Sequence, residues 1–326
     1  MMSQTLNIRK KLTVNNFIKE YVDSNTPNAF SHFPKLITLD AYNTIYSTEK
    51  PVLDIYVETF NAFPETNKKI TNVEKKQMLE NFPTIFKAHM TKYPNYGKYT
   101  PISAAEWWCL LIQATFKEAN IVLNKEESLK ILAPFEGKVY KTFPDLSQLL
   151  TTVKKISKTK IGICSNTDPL YHSVMKYLKN TNNDFVLPDE KFVYLSYDID
   201  TKKNKVGEFF NIAFNSAEKE LKHLEPRDCW HIGDELENDL VGSINAGWAG
   251  ICIDRGDNYG YFSRDSETEK VNSEKLTLNK INKSANAIYE EGKDCHDVLI
   301  LNNGGIIIRN LFIIEHILLA LKAKEN

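Results

Sequence analysis

Four short apolar runs in the second half of the chain, Ile161–Cys164, Phe192–Tyr197, Cys229–Ile232 and Ala249–Ile253, alternate with segments of helical periodicity. Runs of this length bounded by turn residues read as strands. Strands that alternate with helices of about 10–15 residues point to a parallel sheet covered on both faces. The helices are expected at Asp145–Ile156, Pro169–Leu178, Phe209–Leu221 and Asp239–Ala246, the last ended by Gly247. Leu36–Leu39 is an earlier strand of the same kind, and Phe185–Leu187 a strand edge.

From Pro51 to Phe135 the pattern is helical without strands. Val52, Ile55 and Tyr56 recur at helical spacing, and Glu74–Met90 is a second helix that Pro83 is expected to strain. Ser103-Ala104-Ala105-Glu106 reads as a capping box, and Glu126–Tyr140 as a further helix. The expected fold is therefore α/β, a Rossmannoid parallel-sheet core over residues 35–50 and 141–255, with residues 51–140 inserted as an α-helical cap. Residues 1–33 are polar with a short helix from Val14 to Val22. Residues 256–300 read as a linker or loop excursion, and residues 301–326 as one apolar helix carrying Ile306, Leu311, Ile314 and Leu318. That helix is expected to dock on the core; the alternative is a face for a protein partner.

Composition excludes some function classes. The net charge is -1, so nothing favours nucleic acid or an anionic membrane surface. Arg309, Asn310, Glu315 and His316 interrupt the one long apolar stretch, so no membrane span is expected. The 5 cysteines are widely spaced with no CxxC pair, which is neither a zinc pattern nor a disulfide framework. An intracellular, most simply cytoplasmic, location is expected, and Met1–Glu20 lacks the apolar region of a secretory leader.

The chemistry is carried by strand ends. Leu36–Leu39 runs into Asp40, and Cys229–Ile232 runs into Gly233-Asp234, with Asp239 a turn later. In an open α/β sheet such ends converge where ligands bind. Three carboxylates there suit a hard cation such as Mg2+, and Asp40 could also attack phosphorus covalently. Ser165-Asn166 ends another strand, and the N-terminus of the helix expected after it would offer backbone N–H groups to a phosphate.

With these elements in order, the chain resembles the haloacid dehalogenase-like hydrolase superfamily over about residues 35–255, and within it the eukaryotic branch of haloacid dehalogenase-like hydrolase domain-containing protein 3. The resemblance implies a Mg2+-dependent phosphohydrolase acting on a small phosphorylated molecule. It makes Asp40 the nucleophile and a metal ligand, the Tyr42 backbone carbonyl a second ligand, and Thr44 the close of the phosphate-binding motif. Ser165 and Asn166 would bind the phosphoryl oxygens. Asp234 would hold the metal, and Asp239 the metal or its water. A lysine should balance the acids; Lys205 matches best, with Lys203 next, in the segment Lys202-Lys203-Asn204-Lys205.

Tyr42 departs from the phosphatase pattern, which usually has Asp two residues past the nucleophile. Asp40-Ala41-Tyr42-Asn43-Thr44 is close to the Asp-Ala-Tyr-Gly-Thr of true haloacid dehalogenases, yet Gly233-Asp234 is unlike their fourth motif. Three explanations fit Tyr42: a substrate with a good leaving group, a proton donor from the cap, or a weak or inactive protein that acts as a ligand-binding or interaction module. Tyr96, Trp107 and Trp108 of the cap are candidates for a substrate pocket. His231, inside a strand, is expected to be a hydrogen-bonded core residue, and His172 fits no metal spacing.

Overall fold

The computed structural model describes residues 6–24, 26–64, 68–156, 158–262 and 297–325. It opens with β1 (Ile8–Thr13), α1 (Val14–Phe17) and a π-helical turn (Ile18–Val22). The Thr13 hydroxyl accepts from the Asn16 N–H at 3.3 Å, which starts the helix. Then come β2 (Leu36–Leu39) and β3 (Tyr46–Thr48). The cap helices are α2 (Val52–Asn61), α3 (Asn72–Lys92), α4 (Ala104–Lys117) and α5 (Lys125–Leu132). β4 (Tyr140–Thr142) returns antiparallel to β3, so the chain leaves and re-enters the core through one two-stranded ribbon.

The core continues with α6 (Pro144–Lys155), β5 (Lys160–Ser165), α7 (Leu170–Thr181), β6 (Val193–Leu195), α8 (Ser196–Ile199) and α9 (Glu208–Glu220). β7 (Cys229–Gly233) leads into a π-helical turn (Leu236–Val241) and α10 (Gly242–Asn245), and β8 (Ala249–Ile253) follows. The described chain closes with β9 (Asp297–Leu301), β10 (Ile306–Ile308) and α11 (Phe312–Glu325). Eight strands form one sheet in the order β1-β9-β10-β8-β7-β2-β5-β6, in which β10 through β6 run parallel and β9 is antiparallel to both its neighbours.

Both ends of the chain depart from the sequence reading. β1 precedes the short helix, and its outward Arg9, Lys10 and Lys11 mask the strand pattern while blunting a sheet edge. Residues 301–311 are not helical: Asn302-Asn303-Gly304-Gly305 turns β9 into β10, with Gly304 at φ +86°. The β-branched run Ile306–Ile308 is then taken by the sheet. Residues 297–300 of the expected linker are strand, and residues 263–296 lie outside the described residues. Phe185–Leu187 forms no strand. α3 runs unbroken through Pro83, and the helix expected to reach Tyr140 stops at Leu132.

α11 buries Ile313, Ile314, Ile317, Leu318 and Leu321, and the Thr152 hydroxyl of α6 donates to its buried Glu315 at 2.7 Å. Its apolar face is thus used within the chain. The cap holds a core of its own, with Met78, Ile112, Phe116 and Ile131 fully buried. Each such side chain contributes about 1.5–3 kcal/mol relative to exposure. Among the described residues no helix is long and apolar enough to cross a membrane. Cys109, Cys164, Cys229 and Cys252 are buried and unbridged.

Candidate active site

β7, β2 and β5 are consecutive in the sheet, so their carboxyl ends set Asp234, Asp40 and Ser165 side by side. Asp40 prolongs β2, its N–H bonded to the Ile232 carbonyl at 2.8 Å. The loop that follows turns at Asn43, whose φ of 61° an Asn tolerates. Arg255, just past β8, fixes this loop. Its guanidinium donates to the Asn43 and Thr44 carbonyls at 2.9 and 3.1 Å and grips Asp145 of α6 through two bonds at 3.0 and 2.8 Å. Sequence reading missed this role, because nothing in the order of residues marks Arg255 as the loop's anchor.

The lysine of the site is Lys203, not Lys205. The Lys203 side chain is buried, and its ammonium donates to Asp40 and Asp239, each at 2.5 Å. Lys205 is exposed in the loop. Asn166 makes the choice: its amide accepts the Lys203 N–H at 2.7 Å and donates to the Lys203 carbonyl at 3.1 Å. Asn166 thus clamps the lysine loop with its side chain, a different duty from the phosphate contact expected of it.

Asp239 is the hub of the buried charges. One oxygen accepts from Lys203 and from His231 Nε2 at 3.0 Å, and the other accepts the Glu235 N–H at 2.9 Å. His231 is fully buried, and burial pushes its pKa down. Its neutral ring donates through Nε2 to the carboxylate and accepts at Nδ1 from Thr38, 2.9 Å away on the neighbouring strand. Burial alone would raise the Asp239 pKa, but Lys203 and His231 hold it well below its ordinary value. Burial would likewise lower that of Lys203, but Asp239 and Asp40 push it up.

Gly233 makes this packing feasible. A Cβ on it would lie 2.1 Å from the nearer Asp239 oxygen. Gly233→Ala is therefore expected to push Asp239 off its partners and to cost on the order of 1–3 kcal/mol, read by denaturant unfolding. A variant as stable as wild type would contradict this packing.

Asp234 completes an acidic group in which ligand oxygens of Asp40, Asp234 and Asp239 lie within 4.8 Å of one another. Burial raises the Asp234 pKa well above normal, and the Asp40 and Asp239 charges raise it further. Burial also raises that of Asp40, against the pull of Lys203. Three carboxylates thus face a single ammonium in buried space, and a hard divalent cation fits such a donor set. Asp40, Asp234, Ser165, Lys203 and Tyr42 share one cavity of about 200 Å3. Among the described residues the Ser165 hydroxyl has no protein partner, which leaves it free to donate into that cavity.

Comparison with known proteins bears on this geometry. The family described as haloacid dehalogenase-like hydrolase matches residues 34–247. The chain belongs to the haloacid dehalogenase-like hydrolase family. It is 32% identical to the uncharacterized protein YMR130W of Saccharomyces cerevisiae over 294 residues, 87% of this chain and 93% of that one. It is 25% identical to haloacid dehalogenase-like hydrolase domain-containing protein 3 of Bos taurus, over 67% of this chain and 81% of that one. The solved structure of L-2-haloacid dehalogenase from Xanthobacter autotrophicus matches 74% of this chain and 86% of its own, at 15% identity and TM-score 0.44.

The remaining candidates of this haloacid dehalogenase-like hydrolase divide. Thr44 is fully buried with its hydroxyl unpartnered among the described residues, and it is no part of the cavity wall. Tyr42 lines the cavity, but its hydroxyl pairs with Thr48 at 3.3 Å. Trp107 is fully buried inside the cap, its indole N–H donating to the Tyr93 carbonyl at 2.9 Å, so it does not face a pocket. Trp108 and Tyr96 do line one, a second cavity of about 230 Å3 between cap and core. α7 opens only at Leu170, whose N–H is taken by Asp168 at 2.7 Å, so that helix end is not offered to a phosphate at Ser165.

Proposed function

We propose that this chain is a Mg2+-dependent phosphohydrolase that works through an aspartyl-phosphate at Asp40 and acts on a small phosphorylated molecule. The observation that carries the reading is the ammonium of Lys203 set between Asp40 and Asp239 at 2.5 Å from each, with Ser165 and Asp234 on the same cavity. Lys203 orients the Asp40 carboxylate and offsets charge on the transferring group. Ser165 donates to a phosphoryl oxygen. An Asp40 oxygen forms the new bond to phosphorus while the bond to the leaving oxygen breaks, with the electron pair going to that oxygen. Water then attacks the phosphorus of the acyl phosphate, which releases inorganic phosphate and restores the carboxylate.

Asp40, Asp234 and the Tyr42 carbonyl would hold the metal. Asp239, already engaged by three donors, serves better as the partner of Lys203. A bound Mg2+ supplies electrostatic stabilisation of the phosphoryl oxygens. Position 42 holds no carboxyl group to protonate the leaving oxygen, so the favoured substrates are those whose leaving oxygen departs without such an acid.

Metal binding tests this reading without any assay of turnover. Mg2+ at about 100 times its Kd is expected to raise the stability of the folded chain by about 2.7 kcal/mol. Asp234→Asn should lose most of that gain. Thermal unfolding midpoints that coincide with Mg2+ and with chelator would overturn the metal assignment.

A further inference from the structure

The second cavity, about 230 Å3, has an unusual wall. Tyr42, Tyr46, Tyr56, Tyr96, Tyr140 and Tyr171 line it together with Trp108, and its charged lining residue is Asp168. No basic residue is among the described lining. It shares Tyr42, Tyr46, Asn166 and Thr167 with the Asp40 cavity, so the two adjoin and a molecule whose phosphate meets Asp40 can extend its other end here. The volume is below the roughly 300–1,000 Å3 of sites for drug-sized ligands, and suits a compact group.

Among the described residues Asp168 has no cationic partner. It is 2% exposed, and its oxygens accept from the Trp108 indole at 2.6 Å and from the Leu170 N–H at 2.7 Å, both neutral donors. A buried carboxylate is costly without a cation. Burial pushes its pKa up against those two bonds. Burial also pushes up the Tyr96 hydroxyl, with the nearby Asp168 charge adding to the shift. Rings of Tyr46 and Tyr140 lie 5.0 Å apart, and those of Tyr96 and Trp108 6.2 Å apart.

A wall of aromatic rings around a carboxylate is the chemistry that recognises organic cations. Resting on the phosphohydrolase reading, we propose that the substrate is the phosphate ester of a small amino alcohol, whose ammonium or quaternary nitrogen enters the aromatic cavity against Asp168. This assignment also bears on Tyr42. A positive charge near the departing oxygen makes the alkoxide a weaker base, so it leaves with less help from an acid.

The test compares choline phosphate with its uncharged carbon isostere, 3,3-dimethylbutyl phosphate, on the wild-type protein with Mg2+. The KM for choline phosphate is expected to be lower by about tenfold. Asp168→Asn should bring the ratio of the two KM values toward one. Equal KM values in wild type would overturn the proposal, whether or not the variant folds, and a ratio unchanged in a folded Asp168→Asn would overturn the part given to Asp168. p-Nitrophenyl phosphate, assayed with wild type and Asp40→Asn, separates the two levels. Turnover of it that depends on Asp40, without a preference for the cation, sinks the amino-alcohol proposal alone. No Asp40-dependent turnover of any of the three esters sinks the phosphohydrolase reading and the proposal with it.

Discussion

Asp40→Asn is expected to lower phosphate release by about 10^4-fold or more, because an amide cannot form the covalent intermediate. The substitution keeps the shape of the side chain at the end of β2, and the backbone bond to Ile232 is untouched. Lys203 retains Asp239 as its partner, so the site should hold together. The loss is thus expected in the chemical step rather than in folding. Release of inorganic phosphate from p-nitrophenyl phosphate, with unfolding measured on the same samples, checks both halves. A folded variant within about tenfold of wild type would remove Asp40 from the chemistry.

Lys203→Met is expected to be the most damaging change to stability. Its ammonium lies between two buried carboxylates, and removing one partner of a buried ion pair costs about 3–5 kcal/mol. The pH dependence has a definite sign. In the wild type Lys203 and His231 hold the Asp239 pKa below its unfolded value, so this carboxylate stabilises the fold above its ordinary pKa and ceases to do so as pH falls. Without Lys203 the burial that raises the Asp239 pKa loses its largest opponent. The variant's deficit should therefore be largest near neutral pH and should shrink as pH falls to the ordinary carboxylate pKa of about 4 and below. Lys205→Met, at an exposed loop position, is expected to change stability by no more than about 0.5 kcal/mol. Denaturant unfolding of both variants at the two pH values decides the matter, and equal effects of the two lysines would contradict the geometry.

Why one lysine could be misread for another shows what a sequence exposes. Asp40, Ser165 and Gly233-Asp234 are legible because each ends an apolar run, and a parallel sheet brings such ends together whatever the loops do. Lys202, Lys203 and Lys205 lie in a segment with no periodicity. What selects Lys203 is a reciprocal pair of bonds with Asn166, a tertiary contact across 37 positions. Trp107 and Trp108 pose the same difficulty. Neighbours on α4 point in different directions, so one enters the cap's core and the other reaches Asp168. β1 and β10 were hidden for local reasons, the first by its charged outward residues and the second by an isoleucine run that suits helix and strand alike.

Trapping the covalent intermediate tests the central claim most directly. The protein would be mixed with p-nitrophenyl phosphate and Mg2+, quenched in acid, digested, and its peptides weighed by mass spectrometry. The account predicts one phosphoryl group on the peptide that contains Asp40, absent in Asp40→Asn and absent with chelator. Phosphate released at wild-type rates with that peptide unmodified at every quench time, or the modification found on another residue, would contradict it.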